Sequence, residues 1–174
     1  MSRLDELTLG IDHVAFRAQD LDRAQDNLAR LGLSHTPVAE ARWPGENGPH
    51  RARTLSVMLD DGYLDVIELP TSSVQLGPTG VVLAARDLGT VRSQLMDAGV
   101  RCARPYTIVR SFDGAGPDQR YEIFGIEPKH ACGLPQSVIE TREAPPMQNR
   151  SPHTAAVTRV ADAARLLGVY LTRA

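Results

Sequence analysis

An internal repeat constrains the fold of this chain more than any other feature of its sequence. When the stretch "GIDHVAFRAQDLDRAQDNLARLGL", which starts at Gly10, is shifted by 67 positions, it falls on a second stretch of the same design. Each copy begins with strand-like residues, passes an Asp-Leu hinge, continues with apolar residues at helical spacing and ends in glycine. The matched pairs are Val14 and Val81, Ala18 and Ala85, Asp20 and Asp87, Leu21 and Leu88, Leu28 and Leu95, and Gly32 and Gly99. The repeat predicts two copies of one supersecondary unit.

Three further strands are predicted after the helix of each copy. Alternation of apolar residues, together with turn signals such as "DDG", marks these segments. In the first copy they are a short strand near 37–42, then 53–59 and 63–69; in the second they are 103–111, 120–126 and 136–141. This order predicts two βαβββ units, residues 10–70 and 79–142.

Composition is that of an ordinary globular protein. Hydrophobic residues make up 42% and charged residues 23% of the 174 positions, and the formal net charge is −2. This balance argues against a nucleic-acid or membrane-surface partner. The two cysteines, Cys102 and Cys132, form no Cys-x-x-Cys pair, and no apolar run is long enough to span a bilayer. We therefore expect a cytoplasmic protein with reduced thiols.

The end of the chain follows the two units. Residues 1–155 are predicted to form one domain and residues 156–174 a C-terminal helical extension, with a helix over 160–171. This helix is expected to pack on the sheet or on a partner subunit. The alternative is an incomplete third unit.

The opening "IDHVAFRAQDLDRAQDNLARLGL" and the later "DDGYLDVIEL" resemble the vicinal oxygen chelate superfamily, and its glyoxalase-like domains (the glyoxalase, bleomycin resistance and dioxygenase type) in particular. The resemblance extends over roughly residues 9–155 and includes "SPHTAA" near the end. It implies an α+β fold in which two tandem βαβββ units form one cupped mixed sheet flanked by helices. It also implies a homodimer.

The resemblance further implies a divalent metal (Zn, Ni, Mn or Fe) inside the cup. His13 matches the first ligand position, Glu68 the second and Glu140 the fourth, whereas the third position is Gly80. One protein ligand is therefore missing from the pattern. The histidines that could replace it are His50, His130 and His153. The plainer interpretation of His13 is a buried imidazole that is hydrogen-bonded across the sheet.

Two functions compete at this stage, and both act on a small molecule. The first is a metal-dependent lyase or isomerase acting on a small oxygenated carbonyl compound, with Glu68 or Glu140 as the catalytic proton carrier. Candidate substrate-binding residues are Arg17, Tyr63 and Tyr121. The second is a metal-free protein that binds an antibiotic or metabolite, which the glycine at the third position favours. A third alternative is an interaction module or a part of a longer architecture.

Overall fold

The computed structural model describes residues 10–46, 48–59, 62–70, 77–112, 117–130 and 136–140. The first unit contains β1 (Gly10–Ala18), α1 (Leu21–Arg30), β2 (Ala39–Trp43), β3 (His50–Met58) and β4 (Tyr63–Glu68). The second contains β5 (Gly77–Ala85), α2 (Leu88–Asp97), β6 (Tyr106–Phe112), β7 (Gln119–Ile126), a 3-10 turn (Pro128–His130) and β8 (Gln136–Glu140). The βαβββ order predicted from the repeat is confirmed in both units.

The described strands form a closed barrel in the order β1-β4-β3-β2-β6-β7-β8-β5. Within each unit the first and last strands pair in parallel, and the remaining pairs are antiparallel. The two units join at two antiparallel seams, β1 with β5 and β2 with β6. The predicted α+β fold, one cupped mixed sheet flanked by helices, is thereby confirmed. The predicted C-terminal extension, residues 156–174, lies outside the described residues.

Both helices begin and end as the repeat predicts. The Asp20 carboxylate accepts a hydrogen bond from the amide of Arg23 at 3.0 Å, and the Asp87 carboxylate accepts one from the amide of Thr90 at 2.9 Å. The Thr90 amide holds the pKa of Asp87 below its usual value. Positive φ angles of 72° at Gly32 and 81° at Gly99 follow the two helices, a conformation that favours glycine.

The apolar core lies mainly outside the barrel, between each helix and the sheet. Under α1 the fully buried residues are Leu21, Leu55 and Val57. Under α2 they are Ala85, Phe124 and Val138. Burying each of the larger side chains stabilises the fold by roughly 1.5–3 kcal/mol. Because these clusters use the outer face, the inner face is available for other side chains.

No described helix is both long and apolar enough to cross a membrane.

Candidate functional site

The interior of the barrel is the candidate site, because it is lined by polar and half-buried side chains. Residues paired directly across a ladder share a face, so Tyr106 with Ile123, and Ile108 with Tyr121, point the same way. These four side chains cluster with Val82. An eight-stranded barrel is wide enough either for its own side chains or for one small ligand. The tyrosines and Ile108 remain half-buried, so solvent reaches this interior.

A hydrogen-bonded Asp–His pair lies on β1. His13 is 7% exposed and Asp12 is 2% exposed, and His13 Nδ1 lies 2.8 Å from Asp12 Oδ1. Neighbouring residues of a regular strand point to opposite faces. Here the β1–β5 ladder has an irregularity between Ile11 and His13, which leaves Asp12 as an extra residue. The irregularity explains why two consecutive side chains meet, whereas a regular strand would point them to opposite faces.

Tyr63 of β4 covers the imidazole of His13. The two rings stack with their centroids 4.4 Å apart and their planes inclined by 20°. Burial raises the pKa of Tyr63 well above its usual value, and the charge of Asp12 adds to this effect. The phenol therefore stays protonated at neutral pH and remains a hydrogen-bond donor. Tyr63, predicted from the sequence as a substrate-binding residue, thus lies directly beside His13.

An ion pair joins the two units inside the barrel. Arg110 Nη2 of β6 donates to Asp65 Oδ2 of β4 at 2.8 Å, and their side chains are only 13% and 5% exposed. The Ser56 hydroxyl donates to Asp65 at 3.0 Å and accepts from Arg110 Nη1 at 3.2 Å. Burial lowers the pKa of Arg110, but the charge of Asp65, the hydrogen bond to it and the neighbouring Tyr63 and Tyr121 together more than offset this, and the pKa is raised. The guanidinium of Arg110 is therefore charged at neutral pH.

The other two predicted substrate-binding residues also lie along this face. The guanidinium carbon of Arg110 lies 5.8 Å from the ring centroid of Tyr121, whose hydroxyl donates to Gln119. Arg17 is half-buried and follows His13 along the same face of β1. The structure therefore brings Tyr63, Tyr121 and Arg110 to one interior surface, with Arg17 towards the end of β1.

Glu68 lies on the other face of the sheet. It pairs with Arg53 in the ladder and is in phase with Leu64 and Val66, which pack against the α1 cluster. Its carboxylate accepts a hydrogen bond from the amide of Leu21 at 2.7 Å and from Arg53 at 3.3 Å. Glu68 thus caps the positive end of α1. His13 and Glu68, predicted to be joint ligands of one metal, are not brought together.

Replacing Glu68 by alanine is expected to lower the free energy of unfolding by about 1–2 kcal/mol, because the helix loses a capping carboxylate. Urea titration measures this loss. The matched control is Glu40→Ala on β2, which removes a carboxylate paired only at the surface with Arg42 and Arg51. Its expected cost is below about 1 kcal/mol. A Glu68 variant that kept full stability but lost a metal-induced rise in Tm would contradict the capping role.

The remaining predicted metal positions are described only in part. The backbone of Glu140 pairs with Ala85, as that of Glu68 pairs with Ala18, but the side chain of Glu140 lies outside the description. Gly80 is buried opposite Ala15. Among the described residues, no three His, Cys, Asp or Glu side chains lie close enough together to hold a metal ion. The described donors therefore do not fit the metal site that the family resemblance implies.

Sequence reasoning missed three residues of this interior, namely Asp12, Asp65 and Arg110. A signal was present for two of them. In "YLDVIEL", Asp65 is in phase with Tyr63, so alternation places a carboxylate on the inner face. In "YTIVRSF", Arg110 is likewise in phase with Tyr106. Asp12 gave no such signal, because its position depends on the irregularity in β1.

Comparison with known proteins gives matches only among solved structures. No protein-family model and no curated protein sequence matches the chain. A methylmalonyl-CoA epimerase from Mycobacterium tuberculosis is 21% identical with a TM-score of 0.55, over 80% of this chain and 91% of that one. A hypothetical protein from Bacillus halodurans is 10% identical with a TM-score of 0.59, over 78% and 96%. A variant methylmalonyl-CoA epimerase from Streptomyces coelicolor, in complex with 2-nitronate-propionyl-CoA, is 19% identical with a TM-score of 0.54, over 79% and 99%.

These likenesses define the fold. The chain is a protein of paired βαβββ units closed around an interior. More narrowly, it has the glyoxalase-like fold that it shares with these solved structures. The resemblance noted in the sequence is confirmed at this level.

Proposed function

We propose that this protein is a glyoxalase-like enzyme of the isomerase type, which moves a proton beside the carbonyl group of a small oxygenated substrate. The observation that carries the proposal is the buried Asp12–His13 pair on the inner side of the barrel. Reactions of this kind need a base that is oriented before the substrate arrives. The predicted lyase chemistry is a neighbouring possibility within the same class of proton-transfer reactions.

His13 acts as the base in this proposal. A carboxylate accepts hydrogen bonds only, so Asp12 favours the tautomer in which Nδ1 of His13 carries the proton. The lone pair then lies on Nε2, which has no hydrogen bond to any described residue. When Nε2 takes a proton from the substrate, the Asp12 carboxylate stabilises the imidazolium that forms. Tyr63, kept neutral by burial, is a donor beside this base.

The proposal needs no metal step. The carboxylate of Glu68 bonds to α1, and a glycine occupies the third ligand position. Of the predicted metal ligands whose side chains are described, His13 is therefore the one that faces the interior. The ligand and proton-carrier roles predicted for Glu140 stay predictions. The cytoplasmic location and the homodimer predicted from the sequence also stay predictions.

The substrate class is proposed from two sources. Among the described residues the interior carries an aromatic wall beside the guanidinium of Arg110, which suits a small molecule with a carbonyl oxygen. One of the similar solved structures is a methylmalonyl-CoA epimerase in complex with methylmalonyl-CoA. We therefore place acyl thioesters and 2-oxo acids first among the candidates.

A second candidate function is a metal-free binding protein for an antibiotic or metabolite. The observation that favours it is the orientation of Glu68, whose carboxylate bonds to α1 rather than facing the interior. A protein that only binds its ligand does not need a complete set of metal ligands. This candidate shares the site and differs in the role of His13, which would then only pack against Tyr63 and donate to Asp12.

Deuterium exchange separates the two candidates. The protein, treated with EDTA, is incubated in D2O with pyruvate, 2-oxobutyrate, methylmalonyl-CoA and propionyl-CoA, and loss of the carbon-bound proton is followed by NMR. We expect faster exchange than in buffer for at least one compound. A rise in Tm without exchange supports the binding protein instead. Neither exchange nor a rise in Tm with any member of the panel contradicts both candidates.

A further inference from the structure

The guanidinium of Arg110 has hydrogen-bonding capacity left over inside the barrel. An arginine carries five N–H donors in a fixed planar fork. Nη2 donates to Asp65 and Nη1 donates to Ser56, and these two bonds fix the orientation of the plane. Nε is buried and has no hydrogen-bond partner among the described residues. A buried donor without a partner is costly and uncommon, so an acceptor is expected at this position.

The surroundings of Arg110 favour an acceptor that arrives with the ligand. The side chain keeps 13% exposure, so part of it remains accessible to solvent. Tyr121 lies beside it at 5.8 Å, and the half-buried Tyr106 and Ile108 continue the same surface. Asp65 accepts from the Ser56 hydroxyl as well as from Arg110, so its negative charge is shared between donors.

The position of Arg110 also relates it to the proposed base. Tyr63 stacks on His13 and precedes Asp65 by two residues on the same face of β4, and Asp65 in turn holds Arg110. The proposed base His13 and the cation Arg110 therefore both lie beside the short stretch of β4 from Tyr63 to Asp65. A small molecule lying against Tyr63 would have one end near each of them.

We propose that Arg110 is the anion-binding group of the barrel interior and takes a carboxylate or enolate oxygen of the ligand. The proposal deepens the proposed function, on which the enolate part rests, by naming the charge that the ligand carries. In this arrangement a guanidinium, held by Asp65 and Ser56, supplies the positive charge that faces a developing oxyanion. The preferred ligands are planar anions with two oxygen atoms on one centre, because these match the fork of an arginine.

The test uses the nitronate anion of nitroethane, a planar anion with two oxygens, and 2-methyl-2-nitropropane, which has no acidic C–H and stays neutral, as its uncharged control. Binding is measured by NMR titration at pH 9.5 in the presence of EDTA. We expect the nitronate to bind and Arg110→Gln to weaken that binding by about tenfold or more. Arg42→Gln is the matched control, since Arg42 is also bonded to a serine hydroxyl, that of Ser111, but lies on the outer face of neighbouring β2.

Two further variants keep the test decisive. Arg110→Lys retains the positive charge but lacks the planar fork of N–H donors. If Arg110→Gln alone unfolds, the double variant Asp65→Asn/Arg110→Gln replaces it, because it removes both charges of the pair together. Both should bind the nitronate more weakly than the wild type. Equal affinity in wild type and Arg110 variants, equal affinity for the nitronate and for 2-methyl-2-nitropropane, or binding only when a divalent metal replaces EDTA would each overturn the proposal. His13→Gln separates this result from the proposed function, because it should lose exchange and retain nitronate binding.

Discussion

His13→Gln is expected to lower the rate of substrate deuterium exchange by about a hundred- to ten-thousandfold, which is the usual contribution of a general base. Glutamine keeps a polar side chain that can donate to Asp12, but it has no nitrogen lone pair able to take a proton. The pair is buried in the barrel, so water has little room to replace the imidazole. The measurement is the initial rate of exchange by NMR, with circular dichroism to check that the fold is kept.

The control for this variant is His35→Gln. His35 is half-buried and its Nδ1 bonds to the carbonyl of Thr36, outside the Asp12–His13 pair. Its exchange rate should match that of the wild type. Asp12→Asn provides an independent check, because an amide NH₂ facing Nδ1 stabilises the wrong tautomer of His13. We expect a loss of about a hundredfold or more, with the fold retained. Full exchange in His13→Gln would remove it as the base and leave the binding function as the better account.

Asp65→Asn is expected to lower the free energy of unfolding by about 3–5 kcal/mol, because it leaves the Arg110 guanidinium enclosed with no negative partner. The loss should be large for a single oxygen-to-nitrogen change, since the two side chains are only 5% and 13% exposed. Urea titration at neutral pH measures it. The surface pair of Arg53 with Asp22 is the matched control, where Asp22→Asn should cost below about 1 kcal/mol.

A double-mutant cycle separates the pair from its surroundings. Adding Arg110→Met to Asp65→Asn removes the stranded charge, so the double variant should recover much of the stability lost by Asp65→Asn alone. Strictly additive losses would show that Asp65 and Arg110 stabilise the barrel independently. Because Arg110 belongs to the second unit and Asp65 to the first, the coupling measured here also reports how the two units hold together.

Much of the fold follows from the sequence because its signals are local and occur twice. The N-terminal caps Asp20 and Asp87 and the glycines Gly32 and Gly99 each fix a helix end by short-range geometry. Closure into a barrel does not follow from such signals. It depends on the seams β1–β5 and β2–β6, which pair residues far apart in the chain.

The candidate site was predicted less completely, for two physical reasons. Glu68 sits at the position that the family pattern gives to a ligand, yet the register of β4 turns it towards α1, where a free amide attracts the carboxylate. The interior charges of Asp65 and Arg110 satisfy each other across two strands, and such pairing is invisible in a single segment. The structure places His13 on the inner face opposite Tyr63 and Val82, its role as a ligand stays a prediction, and its partner Asp12 was not predicted.

The irregular ladder between β1 and β5 has a consequence for how this protein can change over evolutionary time. The extra residue in β1 at Asp12 is balanced by one in β5, where Thr79 is passed over between Gly80 and Pro78. The two extra residues compensate each other, so β1 and β5 pair in the same register before and after the irregular stretch. Substitutions along this seam leave both extra residues in place, whereas a one-residue deletion in either strand breaks the compensation. The pairing of this seam therefore depends on the lengths of its two strands.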